Sequence, residues 1–268
     1  MRGATILLAF ASLAACDLSP EKAVPAAAPS ITFDGGLKRE AAAKVAHGER
    51  LASVLGCRGC HTSTMQGQRF YELYASNLTR EISKYSNAQL ERLIRHGEHP
   101  SGREVWGMPS EIFQHLSDED FAAVTAYLRK QTPAGPPTGK AFPFGLEVKK
   151  LIAAGKITTA AKSVVRDKNL GPPDLGAEHA LGRYITRVTC AECHGPELKG
   201  NPGDTPDLIA AGAYSRAEFE RLITTGVPTG GRKLTLMAEV AKGRFSKLTS
   251  AERDALYAYL KARAEHTQ

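Results

Sequence analysis

Two pentads hold the densest chemistry in the chain: Cys57-Arg58-Gly59-Cys60-His61 and Cys190-Ala191-Glu192-Cys193-His194. In each, two thiols lie one helical turn apart, so both can bond the vinyl groups on one edge of a haem, and the next residue's imidazole then lies beneath the iron. That spacing commits Cys57, Cys60, Cys190 and Cys193 to thioether attachment and His61 and His194 to proximal ligation. Three other uses of paired cysteines compete. A zinc site needs its two halves close together, commonly about 15 to 20 residues apart. Here Cys190 follows Cys57 at an offset of 133. A thioredoxin-like pair needs a neighbouring βαβ pattern and no histidine after the second cysteine. Structural disulfides suit an exported chain, but they give no reason for a histidine after both pairs. The fifth and last cysteine, Cys16, lies far upstream.

A six-coordinate iron needs a second axial ligand. Of the four methionines, Met1 heads the chain and Met65 follows His61 too closely to cross the haem plane. Met108 and Met237 remain, at an offset of 129, each in the stretch that follows a predicted middle helix. A thioether opposite imidazole raises the potential, a tuning suited to electron carriers. The alternative for a lone methionine is core filler, and register on a repeat favours ligation. His96, His99 and His115 flank Met108 and are rival sixth ligands for the first haem, or ordinary surface histidines.

The elements that must place these groups recur in each half. Residues 48–61 align with 181–194 at an offset of 133, residues 88–97 with 217–226 at 129, and Leu116, Tyr127 and Leu128 with Leu248, Tyr259 and Leu260 at 132. Ser86 with Gln89, Ser215 with Glu218 and Thr249 with Glu252 read as capping boxes, and Ser117 with Asp120 as a weaker version. Apolar residues at helical spacing follow each, and Gly97 and Gly226 stand at C-cap positions. No stretch alternates with period two over a strand's length. The expectation is an all-α fold: in each half a leading helix enters the motif, then come a middle helix, a loop and a closing helix.

This constellation resembles the class I c-type cytochrome family in its tandem dihaem form. The likeness is carried by the two C-x-x-C-H motifs, by His194-Gly195 with downstream Pro206-Asp207-Leu208, by the distal methionines and by the closing Ala-Tyr-Leu helices. It implies two cytochrome c-like helical domains, each wrapped around one covalently attached haem c. It is most similar to cytochromes that accept electrons from periplasmic or membrane dehydrogenases. The first half has Ser76-Asn77-Leu78 where the second has Pro206-Asp207-Leu208, so its proximal loop is expected to differ.

Outside the repeats, residues 1–15 give one positive charge and a short apolar run that reads as a signal peptide. Leu13-Ala14-Ala15-Cys16 resembles the lipobox of bacterial lipoproteins, which implies acylation of Cys16 and a membrane anchor. The other reading is cleavage elsewhere and a soluble periplasmic protein. Asp17 resembles the signal that keeps some lipoproteins on the inner membrane. The expected organisation is a signal at 1–15, an Ala/Pro-rich tether at 16–42, domain 1 at 43–131, a Pro/Gly-rich linker at 132–177 with a short helix within 146–160 that packs across both domains, and domain 2 at 178–266.

The formal charge of +7 counts Arg2 and omits haem propionates, which contribute about −4 if all ionise. A mildly basic, exported chain is a poor nucleic-acid binder and a reasonable match for an acidic redox partner. Arg103 and Arg232, each after a glycine and five residues before a methionine, are candidate partners for propionates or ordinary solvated arginines. The leading functional expectation is one-electron relay from a dehydrogenase to an oxidase or soluble cytochrome. A dihaem enzyme such as a peroxidase, with one open iron, is the alternative. A histidine/cysteine-ligated thiosulfate dehydrogenase is disfavoured because no cysteine remains as distal ligand, and a docking subunit that tethers a catalytic partner is compatible with relay.

Overall fold

The computed structural model describes residues 30–139 and 143–266. The signal segment, Cys16 and most of the expected tether lie outside the described residues. Domain 1 opens with α1 (Ala41–Val54), and after Gly56 in the left-handed conformation comes the one-turn α2 (Cys57–Cys60). A small antiparallel hairpin, β1 (Gln68–Phe70) with β2 (Leu73–Ala75), precedes α3 (Leu78–Glu81). The three-residue strands are too short to produce a period-two signal. The middle helix α4 (Asn87–His96), the short α5 (Ser110–Phe113) and the closing helix α6 (Asp118–Arg129) complete the domain.

The linker holds α7 (Leu146–Ala153) and α8 (Ala160–Asp167). Its packing helix lies later than the sequence suggests. No residue of α7 is buried, whereas α8 lies against α4 and α5, with its Ala160 N–H donating to the Val105 carbonyl at 2.8 Å. Domain 2 runs from α9 (Ala180–Ile185) through a π turn at Thr186–Cys190 into α10 (Ala191–His194), and continues with α11 (Arg216–Thr225), α12 (Leu236–Gly243) and α13 (Ser250–His266). Among the described residues, no helix is long and apolar enough to cross a membrane.

Both domains close in the same way. Ser86 and Ser215 each accept from the N3 backbone while Gln89 and Glu218 reach back, and Gly97 and Gly226 terminate their helices at φ of 66° and 74°. The leading and closing helices touch through a glycine: a Cβ on Gly48 would lie 1.9 Å from the Ala123 carbonyl oxygen, and one on Gly182 would lie 2.1 Å from that of Ala255. Gly48 and Gly182 are therefore the structural equivalents, one residue away from the alignment suggested by the cysteines. Gly56 is the extra residue: it breaks the first domain's helix, whereas the second domain enters its motif through a continuous π turn. On this register Leu51 matches Ile185 and Val54 matches Val188, all fully buried.

The domains are docked on each other by reciprocal contacts. Arg50 on the leading helix of domain 1 forks onto Glu252 on the closing helix of domain 2, with Nη1–Oε2 at 2.7 Å and Nη2–Oε1 at 2.9 Å. Tyr184, on the leading helix of domain 2, donates its hydroxyl to Asp120 on the closing helix of domain 1 at 2.8 Å. Glu252 and Asp120 are both the N3 residue of their helix and both fully buried. Glu252 is long enough to reach back to the Thr249 N–H as well. Asp120, one methylene shorter, accepts instead from the Phe33 N–H and His47 Nε2, and the Ser117 N–H donates to the Tyr184 hydroxyl. Phe33, part of the stretch expected to be tether, is wholly buried edge-on to Tyr184. The buried apolar side chains form one cluster continuous through both domains.

Candidate haem sites

In domain 1 the turn of α2 presents Cys57 and Cys60 to a cleft of about 1360 Å³, measured out to its open mouth. His61 caps that turn, and its Nδ1 lies 2.8 Å from the Ser76 carbonyl oxygen. Burial holds the imidazole below its ordinary pKa against the opposing pull of that carbonyl. A neutral ring with its Nδ1 proton given to a carbonyl keeps the Nε2 lone pair for a metal, the usual arrangement of a ligating histidine. In domain 2 the same contact recurs, with His194 Nδ1 at 2.8 Å from the Pro206 carbonyl.

The two carbonyls are held by different residues, which explains the Ser-Asn-Leu and Pro-Asp-Leu variants. Asn77 is fully buried and donates to the Ala134 and Pro136 carbonyls at 2.8 and 2.7 Å, strapping the start of the linker onto the loop. Asp207 receives Arg263 Nη1 at 2.8 Å and the Ile209 N–H at 2.9 Å; although burial opposes ionisation, these bonds hold its carboxyl below the usual range. In both loops a buried residue at positive φ, Met65 or Leu198, offers its carbonyl to the N–H of Leu78 or Leu208. Met65 is thus core filler in the proximal loop.

Trp106, Met108 and Pro109 also line the first cleft, with Leu90 and Leu93 from the middle helix, Phe113 from α5 and Leu128 from the closing helix. His99 also lines the cleft, but its Nε2 lies 3.1 Å from the Tyr85 hydroxyl and its Nδ1 lies 2.8 Å from Ser101 Oγ. His96 is exposed. His115 faces a different, polar cavity between α5, α8 and the second motif. The structure therefore brings Met108, of these four side chains, to the cleft without a competing hydrogen bond. Met237, on the first turn of α12, is half-buried against the core of domain 2. Arg103 stands at the mouth of the first cleft, close enough for its charge to act on Glu81, Tyr85 and His99. Arg232 is exposed in an extended segment.

Cys57, Cys60, Cys190 and Cys193 are all unpaired. Burial pushes the Cys57 and Cys190 thiols up to about 11 and raises Cys60 and Cys193 as well. Such thiols stay protonated at neutral pH, the reverse of a reactive thiolate site. Among the described residues, no group of three or more His, Cys, Asp or Glu is placed to hold a metal ion by itself. An apolar cleft lined by two thiols, an imidazole and a thioether fits a haem in donor set.

Arg244 and Glu192 are functional candidates that sequence reasoning passed over. Arg244, following α12, reaches into domain 1, donating from Nε to the Val54 carbonyl at 3.0 Å and from Nη1 to Glu192 at 2.6 Å. A glutamate inside a C-x-x-C-H motif has no local signature of such a partner.

Residues 43–128 match the family described as cytochrome c oxidase, cbb3-type, subunit III, and residues 180–264 match the family described as cytochrome c. The chain is 25% identical over 267 residues to the fructose dehydrogenase cytochrome subunit of Gluconobacter japonicus, covering 84% of this chain and 54% of that protein. It is 28% identical over 211 residues to a nicotinate dehydrogenase subunit of Pseudomonas putida, covering 71% of this chain and 17% of that one. With the cytochrome c subunit of a quinone alcohol dehydrogenase from Gluconacetobacter polyoxogenes the identity is 24% over 204 residues, covering 64% and 41% respectively. The chain spans about half the length of these relatives, or less. Its two domains, their shared motif geometry and these likenesses place it in the class I cytochrome c family, as a tandem two-haem member that resembles the cytochrome subunits of dehydrogenases.

Proposed function

We propose that this chain is an exported electron carrier with two covalently attached haems, accepting electrons from a dehydrogenase and passing them to a respiratory acceptor such as an oxidase or a soluble cytochrome. The observation that carries the reading is the repeated site: an imidazole fixed by a backbone carbonyl at 2.8 Å in both domains, with a methionine in the lining of the first cleft and its counterpart against the core of the second domain. Bound there, haem iron supplies reversible one-electron transfer at a potential set by its axial ligands and surroundings. The protein's own residues do the rest. Cys57 and Cys60, and Cys190 and Cys193, would form the thioether bonds, His61 and His194 would present Nε2, and Met108 and Met237 would supply the second donor of each site in place of a substrate. The apolar walls exclude water, and Arg103 and Arg232 offer guanidinium donors to propionates at the mouths. Residues 4–16 support export and acylation at Cys16, which would hold the carrier at the periplasmic face of the inner membrane.

The test is the optical and magnetic circular dichroism of the oxidised holoprotein. The expected result is low-spin histidine–methionine signatures from both haems, with the near-infrared band of methionine ligation halved by Met108→Ala and by Met237→Ala separately. A native high-spin or bis-histidine haem would overturn the carrier reading and turn attention to peroxide chemistry.

A further inference from the structure

The two attachment motifs approach each other across the domain interface, and one side chain touches both. Arg244 leaves domain 2 and lays its guanidinium over Gly56, the residue before Cys57; a Cβ there would lie 2.8 Å from the guanidinium carbon. Its Nε donates to Val54 at 3.0 Å, in the last turn of the helix that leads into the first motif. Its Nη1 donates at 2.6 Å to Glu192, which sits between Cys190 and Cys193. Glu192 in turn lines the cleft of domain 1 beside Cys57 and Cys60. The arginine side chain is only 15% exposed, and its Nη2 is buried without a hydrogen-bond partner. At all four cysteines, where burial dominates, the Arg244 charge acts in the opposite sense. A charge so placed is weakly screened, so it is felt on both sides of the interface.

We propose that Arg244 is a positioning residue shared by the two haem sites: it holds the attachment edges of both motifs against each other and, with Glu192 as its counter-charge, sets both reduction potentials together. This rests on the two-haem carrier reading. The exchange that it supports is of one electron, leaving one domain and arriving in the other, with no bond made and no proton moved; the donor and acceptor of the carrier supply and remove it. A nearby positive charge disfavours the more positive ferric state and raises a potential, and a carboxylate lowers it. In the native pair the two charges largely offset each other. Removing either partner alone leaves the other uncompensated at both sites.

The experiment is a spectroelectrochemical titration of the holoprotein and of Arg244→Gln, Arg244→Lys and Glu192→Gln, with the thermal melt of each. The wild-type spectrum tests the carrier reading by itself, since a failure there appears before any variant is made. The expected result is that both midpoints fall in R244Q and both rise in E192Q, while R244K recovers most of the loss. A merely structural ion pair would change melting without opposite shifts of the potentials. Movement of one haem alone, shifts of the same sign in R244Q and E192Q, or unchanged potentials would each overturn the proposal. Should R244Q fail to fold, E192Q decides the matter: a rise in both midpoints supports the proposal, and a rise only in the haem of its own domain overturns it.

Discussion

Replacing Gly48 with alanine puts a methyl group where the closing helix of domain 1 already has a backbone carbonyl. The added Cβ would lie 1.9 Å from the Ala123 oxygen, 2.4 Å from its carbonyl carbon and 3.0 Å from the Tyr127 Cβ. A carbon and a carbonyl oxygen settle at roughly 3.3–3.6 Å, so α1 and α6 must part by more than about 1 Å. No side-chain rotation relieves the clash, because the obstructing atoms belong to a hydrogen-bonded helix. Overpacking of this kind costs roughly 1–3 kcal/mol, and a rigid obstacle puts this site at the upper end. Alanine's better helix propensity returns about 0.5–1 kcal/mol. The net loss is therefore about 2 kcal/mol, which lowers the melting temperature by roughly 4–8 °C for a cooperative unit of this size. The assay is thermal unfolding of the holoprotein followed by far-ultraviolet circular dichroism. Gly182→Ala, at 2.1 Å from the Ala255 oxygen and 2.5 Å from the Tyr259 Cβ, is expected to behave alike. Gly243→Ala, which meets nothing within 4 Å, serves as the control and should melt at or near the wild-type temperature. If Gly48→Ala melts no lower than the control, the glycine contact does not set the helix crossing. Opposite behaviour at Gly182 would refute the equivalence of the two glycines.

Tyr184→Phe removes a hydroxyl that bonds both Asp120 and the Ser117 N–H across the interface, and it is expected to cost about 1–3 kcal/mol in urea unfolding; unchanged stability would mean that the domains do not depend on this bond. Asn77→Ala leaves the Ala134 and Pro136 carbonyls without their donor and should destabilise domain 1 by a similar ~1–3 kcal/mol, with altered absorption from the first haem only. An equal change at the second haem would contradict the assignment of Asn77 to the first proximal loop. His115 is pulled down to about 4 by burial and by Arg187, with Asp167 opposing. The unfolded chain therefore binds this proton first, and stability falls as pH drops from about 6.5 toward 4. In His115→Gln that part of the decline should vanish from melts taken across the window, whereas an identical slope would show that His115 does not titrate there.

Much of the site was legible because its chemistry is local in the chain. Two thiols and an imidazole at positions i, i+3 and i+4 need only one helical turn, and the boxes at Ser86 and Ser215 and the glycine C-caps each depend on a handful of consecutive residues. An approximate repeat, at offsets of 129 to 133, then carried the reading from one half to the other. Other features slipped for identifiable reasons. The alignment of the leading helices was one residue out because the cysteines anchored it, while helix packing follows Gly48 and Gly182. The hairpin was too short for its period to register. The packing helix of the linker proved to be α8, since amphipathic residues in α7 say nothing about which surface is free to receive them.

Residue types and spacings by themselves determined a mostly helical chain with two cytochrome c-like domains, a C-x-x-C-H motif in each and a methionine in register for each, because those features are encoded within single turns and repeated. Only the tertiary structure decided which histidine faces the first cleft, that Asp120 and Glu252, each at the third position of its helix, join the domains, and that Arg244 comes to rest on Gly56 and Glu192. Those contacts join residues far apart in the chain. Their partners are chosen by which buried faces meet and by which charges must be satisfied once water is excluded.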